Sequence, residues 1–324
     1  MSERTPSRRR FLTIAGSSAV IALAGCSSGD DGDGGGGATD SMDDGMSNGS
    51  TATDTMGDGS MENGTMDNSS MDDGSMENDS SGSMDDDGMM EGPVTVTVRI
   101  ENVAPADFYG MDASTGGQIW ITPGAFAVHN DADPIFTEGE AASIGLEALA
   151  EAGPPTGFPN EPGLVDELSE MTDGMNVVSA GAYTPANTVA DPNDPMGEVP
   201  GAPPIAPGGA FEFDVEAEPG QKLSFASMFV PSNDIFFAPG GDGIPLWPMD
   251  GRPTEGDVTD AVSLWDAGTE PNGEPGFGPD QAPAQDSPTQ GTDENGVVRP
   301  LSSVMDGYTY PDVSDAIRVT LTPQ

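Results

Sequence analysis

The sequence predicts a mainly β protein: an antiparallel β-sandwich with short helical insertions and long Pro/Gly-rich loops, preceded by a disordered tail. Three observations predict it. Val94, Val96, Val98 and Ile100 alternate with Thr95, Thr97 and Arg99, the period-two pattern of a strand with one buried face. Ile317, Val319 and Leu321 repeat the alternation at the far end, which places the first and last strands in one sandwich, side by side. From Ser27 to Gly92 there is no basic, aromatic or branched aliphatic residue, a composition that cannot bury enough apolar surface to offset its ordering entropy.

The chain begins with an address. Ser7-Arg8-Arg9-Arg10-Phe11-Leu12 fits a twin-arginine export signal built on Arg8 and Arg9, and an apolar stretch from Phe11 to Gly25 follows it. That stretch is shorter than the roughly 20 apolar residues of a spanning helix. It ends in Leu23-Ala24-Gly25-Cys26, which resembles a lipobox, where small residues admit a signal peptidase and the thiol becomes a lipid thioether. Cys26 is the chain's single cysteine, so an intramolecular disulfide is excluded and lipidation at Cys26 is expected. The expected organisation is a signal peptide at 1–25, a spacer at 26–92 and a folded domain at 93–324. The protein would then sit on the extracellular face of the cell membrane, held by the lipid.

Charge narrows the setting. There are 56 acidic residues against 9 basic ones, a formal net charge of −47, and Lys222 is the only lysine. Such a charge strains a compact fold at ordinary ionic strength. At about 1 M salt the Debye length falls to about 3 Å and the repulsion is screened. The composition is therefore that of an extremely halophilic, haloarchaeal type of cell. It excludes nucleic-acid binding, which needs a basic face, and it excludes electrostatic docking to anionic lipid.

Methionines punctuate the spacer, and Met56, Met61, Met66, Met71 and Met76 keep a five-residue interval that matches neither helix nor strand. Thioether sulfur suits Cu(I), so one reading is a copper-handling or solute-binding surface lipoprotein. No histidine accompanies these methionines, and the favoured reading is a spacer that lifts the domain off the membrane. As a flexible coil, the segment from Ser27 to Gly92 spans about 45 Å.

Within the domain, Ile119-Trp120-Ile121 and Phe126-Ala127-Val128-His129 read as strands. Glu140 to Ala152 and Gly163 to Met171 read as short helices, with Ile144, Leu146, Leu149 and Ala150 on one side of the first. Phe211 to Val215 and Leu223 to Phe229 read as a strand pair turned through Glu218-Pro219-Gly220-Gln221. Thr184 to Gly209 and Glu270 to Gly296 are dense in proline and glycine and are expected as long surface loops, the second closing over an acidic edge.

That edge comes from Pro231-Ser232-Asn233-Asp234-Ile235-Phe236-Phe237 and from Asp257 to Glu270, stretches that set carboxylates among large apolar residues. Calcium takes about six to eight oxygen ligands and suits loops, which makes Asp234, Asp266 and Glu270 candidate ligands. In so acidic a chain, the alternative is that they are ordinary surface acids.

The run Leu264-Trp265-Asp266-Ala267-Gly268-Thr269-Glu270 resembles the WDAGT[DE] signature of the spondin N-terminal domain family. Pro231-Ser232-Asn233-Asp234 is similar to its PSxDW segment and Val298-Arg299-Pro300-Leu301 to its xRPL element. Phe136 to Gly153 is similar to its FxxGxxAxxGLxxLAExG stretch, so the likeness runs from about Val94 to Gln324. Glu270 stands where the family often has Asp, Ile235 where it usually has Trp, and the cysteines of animal members are absent. The resemblance implies a β-sandwich with one calcium ion on Asp234, Asp266 and Glu270, and it implies adhesion or recognition through a cell-surface protein or glycan. The ion would pin the loops around Asp234 and Asp266 or bridge to a partner.

Catalytic signals are sparse. His129 is the sole histidine, and without a Gly-x-Ser-x-Gly elbow or a free cysteine in the folded domain at 93–324 it reads as structural. Zinc would need a His/Cys cluster that the chain lacks. Asp191-Pro192-Asn193-Asp194 lacks the central glycine and terminal glutamate of an EF-hand loop and reads as a turn. An enzyme is the least supported class.

Overall fold

The alternation at Val94 produces a strand whose inward residues are buried and whose outward ones are not: β1 (Val94–Asn102) hides Val94, Val96, Val98 and Ile100. A computed structural model describes residues 92–174, 176–190, 203–249 and 251–324. The expectations for the signal peptide with Arg8 and Arg9, for Cys26, for the spacer and for the Asp191 turn lie outside these residues.

The remaining strands are β2 (Trp120–His129), β3 (Val177–Tyr183), β4 (Thr188–Ala190), β5 (Ala210–Ala217), β6 (Lys222–Val230) and β7 (Ile235–Pro239). They continue with β8 (Ile244–Pro245), β9 (Gly256–Asp257), β10 (Val262–Asp266), β11 (Arg299–Pro300) and β12 (Ile317–Pro323). All pair antiparallel in two sheets, ordered β4-β5-β1-β12-β9 and β11-β10-β7-β6-β2-β3, with β8 on β6. The first and last strands are neighbours, Val98 opposite Leu321 and Ile100 opposite Val319, as their shared alternation predicts. The core between the sheets joins Val96, Val98, Phe211 and Val319 to Ile121, Phe225, Phe229 and Phe237. Phe213 stacks on both Phe126 and Tyr183, with ring centroids 4.6 and 5.0 Å apart. Among the described residues no helix is long and apolar enough to cross a membrane.

Several elements differ from the sequence reading. The stretches at Ile119 and Phe126 form one strand, because a bulge between Ile121 and Gly124 absorbs Pro123. The two strands read as a pair do not pair: β5 lies beside β1, and β6 lies beside β2 and β7 in the other sheet. Their connector crosses the sandwich, held where Gly220 N–H donates to Trp247 O and Gln221 N–H to Glu218 O. The expected loop from Thr184 to Gly209 contains β4, and its buried Ile205 bridges Ile121.

The helices form a third layer. The first, α1 (Ile144–Ala152), starts at Ser143 rather than Glu140, because the Ser143 hydroxyl accepts from Leu146 N while Glu140 O accepts from Val298 N. Ile144 is consequently exposed, and Leu146, Leu149 and Ala150 carry the buried face. Glu167 of α2 (Leu164–Glu170) accepts from Gly145 N–H at 2.8 Å and from Ser143 Oγ–H, satisfying the free end of α1. Helix α1 comes so near the start of α2 that a Cβ on Gly145 would lie 2.3 Å from Leu164 N. Both helices pack on Ala125, Ala127, Ala226 and Phe236, so the sheet containing β6 is buried on two faces. A third helix, α3 (Val313–Ala316), is a single turn before β12.

Truncating Leu149 removes a side chain with no exposed surface. Leu149→Ala should destabilise the protein by about 2–5 kcal/mol, and Ile144→Ala by under about 0.5 kcal/mol. Urea titration in molar KCl checks this contrast, and equal losses would mean that α1 does not face the sheet as described.

Candidate metal centre

Two strand ends build the acidic edge. Between β6 and β7 the chain turns through Pro231 to Asp234, where the Ser232 hydroxyl donates to Phe229 O at 2.5 Å and accepts from Ile235 N–H at 3.2 Å. That locked turn places Asp234 at the start of β7. Strand β10 pairs with β7, Asp266 opposite Ile235, and so delivers Asp266 beside it. The turn continues through Gly268, whose φ of +68° and whose approach to Val297, 2.5 Å from where a Cβ would stand, leave room for glycine alone. Asp234, Asp266 and Glu270 are all buried, with 0, 0 and 1% of their surface exposed. They are not ordinary surface acids.

Each carboxylate is held differently. Asp234 Oδ2 accepts from Thr269 N–H at 2.7 Å and Glu270 N–H at 3.0 Å, tying the two turns together. Its Oδ1 is buried and has no hydrogen-bond partner. Asp266 accepts from Gly268 N–H at 2.9 Å and Asn272 Nδ2 at 2.6 Å, and Arg299 Nη2 lies 3.1 Å from its Oδ1. Glu270 accepts from Asn233 Nδ2 at 3.1 Å and Gly291 N–H at 3.0 Å. Asn233 Oδ1 accepts in turn from Gly273 N–H and Gln281 Nε2, both at 3.0 Å. The segment after Glu270 therefore folds over the edge without helix or strand, and it is not all surface loop, since Gln281 is fully buried.

Burial sets the electrostatics. It raises the Asp234 carboxyl to about 8, the nearby Asp266 adds to the rise, and the N–H groups of Glu270 and Thr269 oppose it. Burial also raises Asp266, against the lowering effects of Arg299 and Asn272.

The donors that a hard cation accepts are present: carboxylate oxygens from two adjoining turns, one of them buried without a partner, and a buried amide oxygen, Asn272 Oδ1, likewise unpartnered. Among the described residues, however, no three acidic, His or Cys side chains converge at ion-binding spacing. Glu270 is turned toward Asn233 and Gly291, and Arg299 neutralises Asp266. The residues fit a cation by type, with Asp234 and Asp266 on adjoining turns and Glu270 directed at protein donors.

Sequence reasoning missed Asn272 and Gln281, and it quoted Asn233 and Arg299 only as parts of motifs. Asn233 was the one within reach, lying next to Asp234 in the same turn. His129 stands apart from this edge, fully buried, with Nε2 3.0 Å from Ser224 Oγ. Its pKa is lowered to about 4 by burial first and Lys222 second. It is a neutral core histidine joining β2 to β6.

Folded, metal-free protein holds on Asp234 a proton that an unfolded Asp, titrating at 3.8, has released over the window from about 4 to 8. The stability of metal-free protein should therefore fall as pH rises through that window. Asp234→Asn should flatten the slope and be the more stable form at pH 8 in chelator. Urea titrations of both proteins across that range read it directly, and parallel slopes would remove Asp234 as the group responsible.

Neither protein-family models nor curated proteins match this chain, so any functional assignment rests on its own residues.

Proposed function

We propose that the protein is a lipid-anchored cell-surface module whose sandwich binds one calcium ion and serves adhesion or recognition. The observation that carries the metal is Asp234 Oδ1, a carboxyl oxygen with no surface exposure and no hydrogen-bond partner at the junction of two acidic turns. Leaving such a group buried costs about 1–3 kcal/mol or more, and a bound cation removes that cost. Asp234, Asp266 and Glu270 would hold the ion through carboxylate oxygens. Calcium, when bound, supplies positive charge and a flexible shell of oxygen ligands that pins these loops together.

The spondin-like reading draws support from how its motifs meet. Phe136, from the stretch before α1, packs 4.7 Å from Trp265 and 5.6 Å from Phe236. Gly139 N–H donates to Val298 O, and Val298 N–H donates to Glu140 O. Arg299 reaches Asp266, and Asp234 receives Thr269. Segments far apart in the chain thus converge on the acidic edge. Anchoring rests on Arg8, Arg9 and Cys26, and partner binding through a surface protein or glycan rests on the family resemblance.

Calorimetry on residues 93–324 in molar KCl should show a single calcium site, with a melting temperature that rises with calcium by mass action. Asp234→Ala and Asp266→Ala should each lose both effects, and variants that bind like the wild type would sink the assignment. In the native host, Cys26→Ser should move the protein from the membrane fraction to the medium. Retention in the membrane would point to a different anchor.

A further inference from the structure

The helical layer stops before the sheet beneath it does. Helix α1 ends at Gly153, whose φ of +88° turns the chain aside, while the face of β6 that carries Ala226 runs on by the two-residue period to Met228 and Val230. Trp120 lies opposite Val230 and continues that face on β2. With Ala206 these three form a small hydrophobic cluster apart from the two larger ones. The end of α1 and the loops around Phe158, Pro204 and Pro283 stand over it, and between them lies a cleft of about 550 Å³. That is the size of a small-molecule site. Hydrogen bonds fix its walls: Gln285 Nε2 donates to Glu151 O at 3.2 Å, and Gln290 Oε1 accepts from Asp286 N–H at 2.9 Å and Ser287 N–H at 3.1 Å. On the floor the Thr122 hydroxyl accepts from Met228 N–H at 2.9 Å, and Trp120 Nε1 donates to Gln118 Oε1 at 2.9 Å. The polar groups of the floor are thus satisfied within the protein, and it offers a ligand apolar surface.

We propose that this cleft binds a small aromatic cation, its ring on the apolar floor and its charged end at Asp286. The lining selects that occupant. Phe158 and the prolines on the walls present flat, rigid rings, which lose little conformational freedom when a planar ligand enters. Asp286 is exposed and is the only charged residue among those lining the cleft. A cationic group therefore meets a carboxylate at the rim, and an anionic one is repelled there. Molar salt screens the wider field of the acidic surface beyond about 3 Å, so the contact at Asp286, rather than the net charge of −47, makes the choice. Asp234, Asp266 and Glu270 do not line this cleft, and its ligand is independent of the proposed calcium ion.

The test is calorimetry on the full-length chain carrying Cys26→Ser, in molar KCl, with tryptamine and indole-3-acetate as probes that share a ring and differ in charge. Tryptamine should bind at one site with a dissociation constant at or below about 1 mM. Indole-3-acetate should bind at least about tenfold more weakly. Ser287→Trp sets an indole into the cleft from an exposed position, so it should abolish tryptamine binding with the melting curve and the net charge unchanged. Asp286→Asn should bring the two probes to within about threefold of each other. A wild type that shows no saturable tryptamine binding overturns the proposal. So does binding that survives Ser287→Trp, which would be diffuse attraction to the acidic surface. A preference for tryptamine that persists in Asp286→Asn, or a wild type that takes both probes alike, overturns the cationic class. None of these outcomes bears on calcium, which is read separately.

Discussion

The Asp234 carboxylate is the constraint on which the acidic end of the sandwich depends. One of its oxygens receives two backbone N–H groups from the turn after β10, so that turn cannot move without breaking hydrogen bonds to a buried carboxyl group. Breaking them would leave a buried oxygen and two N–H groups unpaired, at about 1–3 kcal/mol for each group so left. The turn in turn presents Glu270 to Asn233, and Asn233 organises Gly273 and Gln281. Order passes outward from one side chain into a long segment with almost no apolar core of its own. The proposed cation acts at the origin of that chain of contacts, on the oxygen the hydrogen bonds leave over.

The fold that carries the site was legible where one physical cause acts. Period-two alternation in β1 and β12 reflects a sheet face turned to the core, and it yields both strands and their adjacency. It fails for β6, buried from Leu223 to Val230, because a strand covered on both faces has no polar side to alternate with. Ser224 and Ser227 fall on opposite faces of β6, and with Ala226 they are the small residues that a central strand uses to admit helices and neighbouring strands. The connector Glu218 to Gln221 was legible as a turn but not as a crossing, since Pro-Gly serves a hairpin and an arch alike. What decides between them is which face of each flanking strand is apolar, and β6 is apolar on both.

At the site, the three acids could be named from the sequence because carboxylates beside Trp265 and Phe236 are unusual company. The residues that hold them could not. Asn233, Asn272 and Gln281 are amides in aperiodic segments, where no spacing rule separates a buried amide from a solvated one. Arg299 carries more information: in a chain with 9 basic residues, an arginine within the folded domain has many acids to choose from, and it lies against one that is fully buried.

That choice separates two populations of acid in one molecule. Surface carboxylates repel through solvent, and molar salt screens them to within about 3 Å, so they need no individual partner. Buried carboxylates lie beyond the reach of salt, and each needs its own neutralisation. Asp266 has Arg299 and Asn272, Glu270 has Asn233 and Gly291, and one oxygen of Asp234 has two backbone N–H groups. Screening in solution does not reach Asp234 Oδ1, and in the proposed function a site-bound ion would supply there the partner that two backbone N–H groups give the other oxygen.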